Sequence, residues 1–145
     1  MSTTTGTPPT ADELADLREQ MGWGRISTAA AAQSLRGALH TVGVRDAAGR
    51  LVALGRLVGD GVLTFYVADI MVHPDARGQG LGDRLMAALR EYIDAHAAPG
   101  ATVAVLAAPG RASFYERHGF TACPSRYFGE GMAYLAPIEA LQGGA

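Results

Sequence analysis

The chain has 145 residues, 48% of them hydrophobic, with 12 basic against 14 acidic side chains and a formal net charge of -2. That length suits one ordinary domain able to bury most of the surface its unfolded chain exposes. All the basic residues are arginine, and the near-neutral balance argues against nucleic acid as a partner, while the lone Cys123 and the scattered His40, His73, His96 and His118 argue against a disulfide framework and against any metal site.

The opening "MSTTTGTPPT" has neither the basic nor the apolar region of a signal peptide, and no apolar run reaches the ~18 residues of a membrane span. A soluble cytoplasmic domain without a membrane partner is therefore expected, with residues 1–9 flexible, 10–136 folded as one domain and 137–145 a loose tail. Thr10 and Glu13 form a T-x-x-E capping box, and Leu14, Leu17 and Met21 share a face, which predicts a first helix over 11–21. "GWG" at Gly22 to Gly24 ends it. Ser27 or Thr28 caps a second helix in which Ala31, Leu35 and Leu39 align.

From His40 to Val72 the period becomes that of strands. "HTVGVRD", "RLVALGRLV" and "VLTFYVADIMV", separated by "AAG" and "GDG", predict a three-stranded antiparallel meander. Leu81, Leu85, Ala88, Leu89, Tyr92, Ile93 and His96 then mark an amphipathic helix stopped by Pro99–Gly100, and the continuously apolar "ATVAVLAA" predicts a strand covered on both faces. A right-handed crossover makes this strand parallel to the third. A short helix from Pro109 or Gly110 to His118 follows, with Gly119 at its end, and "FTACP" and "MAYLAP" predict a closing antiparallel hairpin. The fold class is mixed α/β: a meander, a βαβ unit with a parallel pair, a C-terminal hairpin and about four helices.

The unusual stretch is "HPDARGQGLG", residues 73 to 82, where Gly78, Gly80 and Gly82 stand at alternate positions just before a helix. A helix N-terminus offers unpaired N–H groups and the positive end of the macrodipole, and glycines let an anion come close. A plain tight turn is the alternative reading. The spacing is neither G-x-x-x-x-G-K-[ST] nor G-x-G-x-x-G, so the common nucleotide loops are excluded.

Arg77, Gly80 and Gly82 in the order R-x-x-G-x-G at the end of a long strand, followed by helix, strand and "FYERHGF" (Phe114 to Phe120), resemble the GNAT superfamily of acyl-CoA-dependent N-acyltransferases. The likeness runs over residues 10 to 136. It implies an N-acetyltransferase domain with acetyl-CoA as co-substrate and no metal. It also implies that the backbone of Ile70, Met71 and Val72 pairs with the pantetheine arm, while Arg77, Gly78, Gln79, Gly80, Leu81 and Gly82 hold the pyrophosphate. The acyl carbonyl then lies near the amide of Met71 or Val72, an oxyanion donor.

The same resemblance makes Tyr115 the general acid for the departing thiolate, with a packed aromatic as the alternative. A primary amine of pKa ~10.4 is mostly protonated at neutral pH, so a base is expected. Asp69, a carboxylate in an apolar run, is the base or else a structural hydrogen-bonding group; His73 is the second choice. The family's Asn before the motif tyrosine is missing from "AAPGRAS", where Ser113 or Arg111 could substitute, and its N-terminal strand has little support in "MSTTTGTPP". The acceptor is a small-molecule or peptide amine, with Trp23, Ile26, Tyr127 and Phe128 as lining residues and Glu130 drawing its charge. A homodimer is compatible with the resemblance. A CoA-binding sensor without turnover, and a protein acyltransferase, are the alternatives.

Overall fold

The computed structural model describes residues 7–137, which divide into two compact units, 7–106 and 107–137. The predicted tail beyond Pro137 and the first six residues lie outside the described residues.

In the first unit, α1 (Ala11–Gln20) begins at the expected capping box: the Thr10 hydroxyl accepts from the Glu13 N–H at 3.2 Å, and the Glu13 carboxylate accepts from the Thr10 N–H at 2.9 Å. Helix α2 (Thr28–Gly37) is capped by Ser27 and stops two residues before Leu39, which lies outside the helix. The meander is β1 (His40–Arg45), β2 (Leu51–Gly59) and β3 (Thr64–Val72); α3 (Leu81–His96) and β4 (Thr102–Val105) complete the crossover. Sheet order is β1-β2-β3-β4, antiparallel except for the parallel β3–β4 pair.

The pleat sends alternate residues to opposite faces. Leu54 and Met71, paired across β2 and β3, join Leu14, Ala15 and Leu17 of α1 and Ala31 of α2 in one apolar cluster. The next pair, Gly55 and Ile70, faces α3: a Cβ on Gly55 would stand 3.1 Å from Ile70 Cδ1 and 3.3 Å from Leu89 Cδ1. Glycine at 55 lets α3 settle on the sheet, where Leu85, Met86 and Leu89 are buried, each contributing roughly 1.5–3 kcal/mol.

The Arg45 guanidinium donates to the carbonyls of Thr7 (3.4 Å) and Pro8 (3.2 Å) and pairs with Glu13. Two expectations need correction. Strand β4 is four residues long and half-exposed instead of covered on both faces, since it forms the edge of the described sheet. The closing hairpin has no strand among the described residues: after α4 (Ala112–Arg117) the chain to Pro137 is irregular. Neighbours Tyr134 and Leu135 are both exposed, so the run has no buried face to fix a register, and Pro124 offers no ladder N–H.

Candidate active site

Strand β3 carries one extra residue. Arg56 pairs with Asp69 and Leu57 with Val67, leaving Ala68 as a bulge. On the other edge the pairing with β4 ends at Val67 opposite Val105. The strands part at the bulge, and Ala68 to Val72 have no strand partner on that edge among the described residues. His73 N–H donates to the Val52 carbonyl at 2.7 Å. Counting back by the antiparallel alternation, Met71 and Asp69 turn their backbone groups to β2, while Ile70 and Val72 turn theirs to the open edge. Of the three residues expected to meet an extended ligand, two therefore present donors and acceptors to it; the Met71 amide is committed to β2.

The chain leaves β3 through a short 3₁₀ turn, Pro74–Ala76, capped by His73, whose Nδ1 accepts from the Asp75 N–H at 3.1 Å. That contact gives His73 a structural task. His73 and Asp75 line an open cleft of about 610 Å³ with Glu13, Asp16 and Gln20 of α1 and with Arg50. Gly78 and Gly80 follow with φ of +79° and +75°, a region costly for residues with a Cβ, and beyond the adjoining residues no atom lies within 4 Å of where a Cβ would stand on either. Gly80 is the N-cap of α3 and supplies no side-chain cap; the first helical bond is Arg84 N–H to the Gly80 carbonyl. The amides of Leu81 and Gly82 thus precede the first intrahelical bond at the positive end of a 16-residue helix. Arg77 and Gln79 are exposed beside it. An open strand edge leading to an uncapped, glycine-lined helix start fits a ligand with an extended arm that runs into phosphates.

Asp69 is 5% exposed and is gripped from two sides. Arg56 Nε donates to its Oδ2 at 2.9 Å, and Arg18 Nη1 of α1 stands 3.5 Å from its Oδ1. The Arg56 guanidinium also reaches the Ser34 carbonyl of α2. Neither arginine was foreseen. The signal was available: Arg56 interrupts the apolar run "RLVALGRLV" on the strand next to Asp69, and buried opposite charges require each other. Trp23, 39% exposed, lies with its ring centroid 5.7 Å from the Arg18 guanidinium carbon, and Ile26 packs against the apolar cluster.

In the second unit Tyr115 is buried on α4, with Phe114 and Phe120 edge-on at 5.0 and 5.7 Å. Its carbonyl accepts from the N–H groups of His118 and Phe120, so the turn after α4 is built around it. Tyr127 and Phe128 are exposed there, as is Glu130. Their exposure gives them no pocket wall within their own unit.

The family model of the acetyltransferase (GNAT) domain matches residues 10–136. An uncharacterized N-acetyltransferase, ycf52-like, of Prochlorococcus marinus is 34% identical over 116 residues, 77% of this chain and 63% of that protein. Serotonin N-acetyltransferase 2 of rice, a chloroplastic protein, is 34% identical over 97 residues, 67% of this chain and 46% of its own length. The chain thus spans about half to two thirds of these relatives. A Staphylococcus aureus protein of unknown function, SA2161, has a solved structure that superposes with a TM-score of 0.78 at 28% identity, covering 92% of this chain and 98% of that one. The chain belongs to the GNAT acetyltransferase family. No described helix is long and apolar enough to cross a membrane, and no described cluster of His, Cys, Asp and Glu would hold a metal ion.

Proposed function

We propose that the chain transfers the acetyl group of acetyl-CoA to a primary amine within a ternary complex. The observation that carries the reading is the continuity between the open edge of β3 and the uncapped start of α3. The outward backbone groups of Ile70 and Val72 hold the pantetheine arm as an added strand would be held. The amides from Arg77 to Gly82 hold the pyrophosphate. In the reaction the neutral amine nitrogen attacks the thioester carbon, and the oxyanion is met by an edge-facing amide, Ile70 or Val72. The intermediate collapses by breaking the C–S bond, with the pair leaving on sulfur, and Tyr115 gives the thiolate a proton. The proton lost by the amine goes to water or to a base; Asp69 serves chiefly to hold Arg18 and Arg56 where they are, both its oxygens being turned to guanidinium groups.

By the family resemblance Trp23, Tyr127 and Phe128 are the residues expected to contact the acceptor. A cytoplasmic location and a homodimer belong to the same reading. The test is thiol release from acetyl-CoA by the full chain against arylalkylamines, polyamines, amino acids and N-terminal peptides, with calorimetry of CoA binding beside it. Turnover with at least one class is expected. Tight CoA binding without turnover across the panel would replace the enzyme with a CoA-responsive binding protein.

A further inference from the structure

We infer that Arg18 selects the acceptor, and that it selects an amine with a carboxylate on the neighbouring carbon. The inference rests on the acetyl-transfer reading and names the substrate class for it. The group around Asp69 holds two guanidiniums and one carboxylate, 2 − 1 = +1. The two arginines share the carboxylate unequally. Arg56 makes the shorter bond, 2.9 Å through Nε, and has the Ser34 carbonyl besides; Arg18 makes one contact of 3.5 Å, through Nη1.

What remains of Arg18 is the edge formed by Nε and Nη2, the edge on which a carboxylate binds side-on through both oxygens. Nε is buried and has no hydrogen-bond partner, the one described buried side-chain nitrogen or oxygen in that condition. Folded proteins seldom leave such a donor orphaned, and where they do a reason is required. A ligand oxygen supplies one. Trp23 lies over the guanidinium and is itself partly exposed, in a short loop between Gly22 and Gly24, both at positive φ. Asp69, the anchor of Arg18, is next in sequence to Ile70, whose backbone faces the open edge, so the spare positive charge stands at the level of β3 where the acyl group is proposed to lie. A polyamine brings only more positive charge to this place. An α-amino acid brings a carboxylate for Arg18 and an amine beside it.

The test compares acceptors that differ by the carboxylate alone: L-tryptophan with tryptamine, L-phenylalanine with 2-phenylethylamine, L-alanine with ethylamine. Thiol release from acetyl-CoA is followed with the full chain. The carboxylated member is expected to have the higher kcat/KM in the pairs that turn over. Arg18→Gln should narrow that ratio about tenfold or more, mostly through KM, and Arg18→Lys, which keeps charge but not the fork, should narrow it less. A preference for the decarboxylated member, a ratio unmoved by Arg18→Gln, or turnover of no member of any pair each overturns the inference. If Arg18→Gln does not fold, the wild-type ratio and the lysine variant decide. Failure of the acetyl-transfer reading has a different signature: neither acetyl-CoA binding by calorimetry nor thiol release with any amine of the wider panel.

Discussion

Asp69→Asn separates a proton acceptor from a charge anchor. The side chain is 5% exposed and has two guanidinium neighbours, at 2.9 and 3.5 Å. Removing one partner from a buried ion pair costs about 3–5 kcal/mol, because the remaining charge stays buried without compensation. Asparagine keeps one oxygen that Arg56 can still use, and Arg18 is partly exposed, so the lower end, about 3 kcal/mol, is the figure expected. For a chain of this size each kcal/mol moves Tm by about 4 °C, giving a fall of about 12 °C. Thermal unfolding followed by circular dichroism, with and without CoA, measures it. Because the anchor role does not depend on proton transfer, kcat/KM should fall by a similar factor at every pH from 6.5 to 9.5. A variant with unchanged Tm, whose activity is lost near neutral pH and returns as free amine accumulates, would refute the anchor argument and make Asp69 the base.

Tyr115→Phe keeps a ring between Phe114 and Phe120 and deletes the hydroxyl; kcat should fall 10²–10⁴-fold, about 3–5 kcal/mol, with CoA affinity retained, and less for acyl thioesters of more acidic thiols. Gly80→Val places a branched side chain at φ +75°, where open space avoids a clash but the backbone does not suit valine; calorimetry should show CoA affinity reduced at least tenfold, with a stability loss of only about 1–2 kcal/mol. Glu13 has its carboxyl lowered to about 2, chiefly by the hydrogen bond from Arg45 and against the opposing effect of burial. Its folded pKa lies below the unfolded 4.5, so its contribution is complete above that value and disappears as pH falls toward 2. Acid unfolding curves of Glu13→Gln should lack that part of the slope, and curves identical to wild type would show that the pair contributes nothing.

The helices were legible because their signals are local. Thr10 with Glu13 and the stripe from Leu81 to His96 specify their own turns whatever lies around them. The meander was legible for the same reason, through alternation and turn residues such as Asp60, whose carboxylate accepts from the N–H groups of Val62, Leu63 and Thr64. What could not be read depends on neighbours distant in the chain. Whether "ATVAVLAA" is covered depends on what lies beyond it in the sheet, and apolar sequence alone does not say. "MAYLAP" has a strand's composition but no buried face in this fold. In the site, the glycine loop announced itself by composition. The bulge at Ala68 has no residue signature, and neither does the choice of which amides face outward. The Arg18–Asp69–Arg56 group needed only the rule that buried charges come in compensating sets, applied to Arg56 and Asp69 on adjacent strands.

The bulge at Ala68 works as a phase shifter. Before it, the residues that turn their backbone toward β4 are the odd ones, as the Leu63 carbonyl accepting from the Thr102 N–H shows; beyond it they are the even ones, Ile70 and Val72. Side-chain burial keeps its rhythm through the same point, with Phe65, Val67, Asp69 and Met71 all buried. One inserted residue thus moves the edge-facing amides from odd to even positions while the odd side chains stay inside. Past the bulge, the residues that present amides to the edge are not the ones whose side chains reach the α1 face. Substitutions at Asp69, or at the arginines around it, can therefore change the charge and shape of the α1 face while the backbone pattern along the edge stays the same. One strand thus carries two patterns in separate alphabets, one of side chains and one of backbone, and each can drift without rewriting the other.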